Sequence, residues 1–250
     1  MDELDQVRPL LDRFVADVRG VLPLTAAWAH GSLALGDFQP GRSDLDLIAL
    51  IDAPPTGRQR QGLQAMHEAL ISQLPLAAGL HCSYVVRTEL DDPDRVHLTW
   101  AHAELFERIV SPVTRRELWQ GGLALFGPAP ATAVPPVTDQ ELADYIRGDL
   151  RDYWYPHTDQ PELWLRDIWV DLGMVTFARA TVTLREGRLI TKREALDVLA
   201  ALEAPADVVT DIRRRRYHHP EPISDAWRTE RGRQTRTYLR QSMRRFLALD

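Results

Sequence analysis

Ala29-His30-Gly31-Ser32, followed after the loop Leu33 to Ser43 by Ser43-Asp44-Leu45-Asp46-Leu47-Ile48-Ala49-Leu50-Ile51, is the stretch on which the fold turns. The Asp-x-Asp pair opens an apolar run, the mark of a buried strand. Side chains two apart on a strand point the same way. Asp44 and Asp46 therefore project together, while Leu45 and Leu47 go to the opposite face. Two carboxylates at a strand end make a hard-oxygen site suited to Mg²⁺. Gly31 lets backbone pass close to a phosphate, and Ser32 can donate to one from a helix start.

Upstream, Val7, Leu10, Leu11, Phe14, Val15 and Val18 recur at helical spacing and predict an amphipathic helix over 4–19. Thr25 to Ala29 reads as a strand and Ser32 to Leu35 as a short helix. Gly36 to Gly41 is a turn-rich loop, and Asp44 to Ile51 a second strand. A helix follows Pro54-Pro55-Thr56, with Leu63, Met66, Leu70, Ile71 and Leu74 on one side; Leu80 to Arg87 is a third strand. That order predicts a domain built on a small mixed sheet. Residues 88–98 read as a polar loop, and Ala103 to Val110 and Thr114 to Leu125 as helices. Pro128 to Pro136 holds four prolines and reads as a linker. Thr138-Asp139-Gln140-Glu141 has the form of a capping box. Only helices follow, near 138–153, 161–186, 191–203, 205–217 and 224–248. The fold class is α+β: residues 1–136, linker included, form a mixed-sheet domain, and residues 137–250 an all-α helical bundle.

Composition narrows the function. The chain has 250 residues, 44% hydrophobic and 26% charged, enough for a substantial core. Its net charge of -6 is not that of a general nucleic-acid binder and suits a small cationic substrate. The single cysteine, Cys82, excludes an intrachain disulfide and suits a reducing cytoplasm. No stretch approaches the 18 apolar residues of a membrane span, and the acidic start (Asp2, Glu3, Asp5) is unlike a signal peptide. The expectation is a cytoplasmic protein with no membrane and no nucleic-acid partner; oligomeric state is left open. Lys192 is the only lysine among many arginines. It is either an exposed helix residue or one needed for its compact ammonium. His30, His67, His97 and His157 have no metal-ligand spacing. Arg213 to Arg216 run around a helix and cannot all reach one ligand.

Strand, Gly-Ser, loop, Asp-x-Asp and apolar strand together resemble the nucleotidyltransferase superfamily with a polymerase-β-like minimal fold. In that superfamily a neighbouring strand usually supplies a third carboxylate. Here Gly79-Leu80-His81-Cys82-Ser83-Tyr84-Val85-Val86 holds no acid, and His81 takes the matching position. An imidazole is a poor Mg²⁺ ligand but can accept a hydroxyl proton at neutral pH. The alternatives are a site that binds nucleotide without turnover and a core histidine bonded to backbone.

The layout further resembles the aminoglycoside adenylyltransferases that modify streptomycin and spectinomycin. The similarity runs at low identity from about Trp28 to about Tyr217. It includes Gly31-Ser32, Ser43-Asp44-Leu45-Asp46-Leu47, Phe126-Gly127-Pro128, Pro136-Val137, and Arg179, Gly187, Lys192 and Ala195. It implies transfer of AMP from ATP, with Mg²⁺ on Asp44 and Asp46 and catalysis by Asp44, Asp46 and His81. It implies nucleotide contacts from Gly31, Ser32, Ser43, Arg179, Lys192 and Tyr217, the last at one residue's shorter spacing. The family's acidic contact to the drug falls near Trp169, flanked by Asp167 and Asp171; Trp100 and His102 fall near its aromatic contact. The mixed segment from Asp152 to Asp167 either walls a polycation's site or is an ordinary helix with buried tryptophans. The expected function is Mg²⁺-dependent adenylyl transfer to a hydroxyl of a small cationic, aminoglycoside-like acceptor. The rival readings are a nucleotide sensor of the same fold and a protein-modifying, antitoxin-like enzyme.

Overall fold

The computed structural model describes residues 3–219 and 221–248, so Asp2 lies outside it. The chain divides into two units, Met1–Val137 and Thr138–Asp250.

In the first unit the apolar spacing of the N-terminal segment produces α1 (Glu3–Val21), followed by β1 (Leu24–Ala29) and the single turn α2 (Gly31–Ala34). β2 (Leu45–Ile51) leads through α3 (Gly57–Gln73) to β3 (Leu80–Val86). α3 begins at a capping box in which Thr56 and Gln59 satisfy each other's backbone N–H groups. Two β-strands then follow, β4 (Val96–Ala101) and β5 (Glu104–Ile109), before α4 (Pro112–Gly121), β6 (Leu123–Phe126) and the short α5 (Pro130–Ala133). The sheet order is β5-β4-β3-β2-β1-β6. Only β2 and β3 pair in parallel, the pair that α3 connects; the other pairings are antiparallel.

Four sequence expectations fail here. The helix expected over Ala103 to Val110 is strand β5, and the end of the expected 88–98 loop belongs to β4. They form a hairpin whose two-residue turn is His102-Ala103, both at positive φ (54° and 62°). Asn and Gly are the usual residues for such a turn, so the sequence lacks its signal. The helix expected over Thr114 to Leu125 stops at Gly121, and Leu123–Phe126 pairs with β1 as an edge strand. The proline-rich stretch expected to be a linker contains α5 and buries Pro130 and Val134 in the first unit.

Strand alternation separates the sheet's two faces. Leu45, Leu47, Ala49 and Ile51 join Cys82, Tyr84, Leu98 and Trp100 in one core with Val7, Leu11, Phe14, Leu63 and Leu70 of the two long helices. Ile48, Leu50, Trp28 and Val85 form the opposite core with Leu118 of α4 and Val134. Asp46 and His81 precede Ile48 and Ser83 by two residues and so belong to this second face.

Every regular element described in the second unit is helical. α6 (Asp139–Gly148) runs through a π-helical stretch, Asp149–Trp154, into α7 (Tyr155–His157). α8 (Asp167–Glu186), α9 (Lys192–Ala201), α10 (Ala206–Tyr217) and α11 (Asp225–Leu247) complete it. Among the described residues no helix is long and apolar enough to cross a membrane.

Candidate active site

β1 delivers the chain into Gly31 at φ +63°, a conformation glycine adopts without steric cost. The fit around this glycine is close: a Cβ there would lie 2.7 Å from Asp46 Oδ2. The preceding His30 N–H donates to the Asp46 carbonyl at 2.9 Å, locking the turn to the first residues of β2. Ser32 accepts at its carbonyl from the Asp37 N–H at 2.9 Å, which folds the loop back. Ser43 closes the far end of that loop: its N–H donates to Gln39 O and its Oγ accepts from the Gln39 N–H. Ser43 is buried and has this loop-closing role.

Register pairs Asp46 with His81 across the parallel β2–β3 ladder. His81 Nδ1 lies 3.8 Å from Asp46 Oδ1, and its Nε2 lies 3.8 Å from Asp44 Oδ1. The ring thus stands between the two carboxylates. Asp44 is the more exposed (53% of its side chain), Asp46 less so (31%), and His81 is nearly buried (10%). His102, in the hairpin turn, sets its ring against His81 edge-on, with centroids 4.8 Å apart and planes at 69°. Among the described residues no three His, Cys, Asp or Glu side chains converge on one metal position. Two hard carboxylates beside a glycine with no room for a Cβ are a donor set that would suit a Mg²⁺ ion.

A buried pair that the sequence does not reveal lies beside this platform. His30 Nδ1 and Glu117 Oε2 of α4 are 3.1 Å apart, with both side chains at or below 10% exposure. Burial disfavours the imidazolium, yet the hydrogen bond to Glu117 and the charges of Asp46 and Glu117 outweigh it, and the His30 pKa is raised above 6.5. The two residues are far apart in sequence and share no motif, so only the fold brings them together.

Trp100 is the clearest correction among the expected site residues. It pairs in register with Cys82, so it points to the α1–α3 face, away from Asp46. It is 1% exposed and stacks flat on His67, with centroids 4.4 Å apart and planes at 4°. Burial pushes the His67 pKa down to about 3, so this ring is a neutral core group that hydrogen-bonds the Tyr84 hydroxyl at 2.6 Å. An acceptor cannot reach Trp100 there. His102, two residues on, is exposed.

In the helical unit Arg179 Nε donates to the Ile190 carbonyl at 2.9 Å, fixing the loop that precedes α9. Thr191 caps α9 in a second capping box with Glu194, which leaves Lys192 as the first helical residue. A lysine there opposes the helix dipole and costs the helix about 0.3–1 kcal/mol. Arg193 lays its guanidinium over Tyr217, 4.0 Å from the ring centroid. Ile190 and Arg193 thereby link Arg179, the Lys192 turn and Tyr217 into one neighbourhood.

The acids expected to face a cationic acceptor already have cations of their own. Arg231, completely buried, donates to Asp167 at 2.6 Å and to Asp211 at 2.9 Å. Arg215 pairs with Asp211 and Asp171. Burial pushes the Asp171 carboxyl up to about 6 against the opposing pull of Arg215. Trp169 instead joins rings with Tyr153, Trp154, His157 and Trp164, at centroid distances between 5.0 and 6.3 Å. Tyr153, Ile168 and Leu172 are exposed around it.

No protein-family model matches this sequence, and no curated protein matches it. A crystal structure of spectinomycin adenyltransferase AAD(9) from Enterococcus faecialis, with ATP and spectinomycin, does match, with a TM-score of 0.72. The match covers 95% of this chain and 99% of that one, at 14% identity. This chain has the fold of that enzyme. The shared fold takes in both the mixed sheet and the helices after it, as the wider resemblance from about Trp28 to about Tyr217 implied.

Proposed function

We propose that the protein is a Mg²⁺-dependent nucleotidyltransferase that moves AMP from ATP to a hydroxyl of a small cationic acceptor of the aminoglycoside class. The observation that carries the proposal is the Gly31–Asp46 contact, where the turn that would cradle phosphate meets a carboxylate that would hold metal with no space for a Cβ. The full-length fold match to an enzyme solved with ATP and spectinomycin supports the same reading.

In this mechanism Asp44 and Asp46 would hold Mg²⁺, and Gly31 and Ser32 would bind the outer phosphates, with Ser43 ordering the loop between. The metal, when bound, neutralises charge that develops on the triphosphate. Arg179, Lys192 and Tyr217 are the nucleotide contacts of the helical unit; a lysine placed against the helix dipole is explained if an anion binds beside it. His81 accepts the acceptor's hydroxyl proton as the oxygen attacks the α-phosphorus, and pyrophosphate leaves. On the helical unit, the aromatic surface around Trp169 is the acceptor contact we propose. The acceptor's cations would compete with Arg231 and Arg215 for Asp167 and Asp171, so we assign these acids a secondary part. The experiment is pyrophosphate release from ATP and Mg²⁺ across a panel of aminoglycoside and aminocyclitol acceptors.

His81 in place of the usual third acid motivates a second reading, a nucleotide-binding protein that does not turn over. Calorimetric binding of ATP with no pyrophosphate release from any acceptor would select it.

A further inference from the structure

The β4–β5 hairpin places two non-glycine residues, His102 and Ala103, at positive φ in a two-residue turn. Asn or Gly is the ordinary choice at both positions, because a Cβ in the left-handed region crowds the backbone. Only one of the two side chains has a partner at the candidate site. The His102 ring meets His81 edge-on at 4.8 Å, and His81 stands 3.8 Å from a carboxylate oxygen of both Asp44 and Asp46. Strain of this kind persists where the surroundings hold it, and it collects at functional sites.

We infer that His102 is a positioning residue: the turn holds its ring against His81 so that the His81 imidazole stays between the two aspartates. His81 is on a central strand, but its ring is free to rotate about the bond to its Cβ unless something fills the space beside it. Asp44 and Asp46 each lie 3.8 Å from one of its nitrogens, and the His102 ring packs edge-on against it at 4.8 Å. This rests on the adenylyl-transfer reading for its kinetic consequence, but not for its structural one.

The test pairs two glycine substitutions in the same turn. Ala103→Gly removes left-handed strain and touches no site residue, so its Tm rises by about 2–4 °C for each kcal/mol gained and kcat is unchanged. His102→Gly removes similar strain, so its Tm does not fall below wild type. Its kcat nonetheless drops roughly 10-fold or more, with the Kd for Mg-ATP and the acceptor KM unchanged. The His81 ring resonances, followed by NMR, shift or broaden in His102→Gly and stay put in Ala103→Gly. Wild-type kcat in His102→Gly, or unmoved His81 resonances, overturns the inference. A raised acceptor KM at unchanged kcat also overturns it and makes His102 an acceptor contact instead. If the wild-type protein releases no pyrophosphate with any acceptor, the adenylyl-transfer reading fails, while the His81 resonances still decide the role of His102.

Discussion

Gly31→Ala tests the join between phosphate turn and metal carboxylate. Two costs are separable. The first is conformational: a Cβ at φ +63° costs about 1–2 kcal/mol, or some 2–4 °C in Tm per kcal/mol. The second is local. The new Cβ would sit 2.7 Å from Asp46 Oδ2, whereas ordinary contact begins at 3.4 Å. The carboxylate must therefore move by about 0.7 Å, and misplacement on the scale of 1 Å costs on the order of 10²-fold in turnover. Gly36→Ala isolates the first cost, because Gly36 has φ +70° and nothing within 4 Å of its Cβ position. Thermal unfolding and steady-state kinetics are measured on both. The expected result is a similar loss of Tm in the two variants, with turnover lost only in Gly31→Ala. Equal turnover in the two would refute the reasoning, since the Asp46 contact would then carry no function.

Two further outcomes concern the buried charges. Arg231→Leu removes the fully buried partner of Asp211 but leaves it Arg214 and Arg215, so it should cost up to about 3 kcal/mol in urea unfolding, part of it recovered by adding Asp211→Asn. His30 has its folded pKa above 6.5, so the folded protein holds this proton more tightly than the unfolded chain. The stabilisation is complete below pH 6.5 and is lost as pH rises through the folded value. The stability difference between wild type and His30→Asn should accordingly be largest below pH 6.5 and shrink above it; a difference independent of pH would contradict the His30–Glu117 account.

The sequence was most legible where one local period decided the structure. Apolar spacing marked α1, α3 and the long helices of the second unit, and the Asp-x-Asp before an apolar run marked β2. It was least legible at β4, β5 and β6. Leu105, Phe106 and Ile109 are spaced as in a helix, and the turn before them uses His102 and Ala103, which carry no hairpin signature. Leu118, Leu123 and Leu125 continued an apparent helical pattern that the Gly121-Gly122 pair in fact ends. These missed strands explain the error at Trp100. Without β4 there was no register to show that its neighbour on β3 is Cys82 and that its face is the core. Asp44, Asp46 and His81 needed only adjacent strands, and their proximity followed from the parallel pairing of β2 with β3. The arginines on Asp167 and Asp171 come from α10 and α11, at sequence separations no local pattern encodes.

The most direct test follows label from α-³²P-ATP into an acceptor, comparing wild type with Asp46→Asn at matched folding. The account predicts labelled AMP on a cationic acceptor with wild type and none with Asp46→Asn. Transfer that survives in Asp46→Asn, or ATP binding by wild type without transfer to any acceptor, would contradict it.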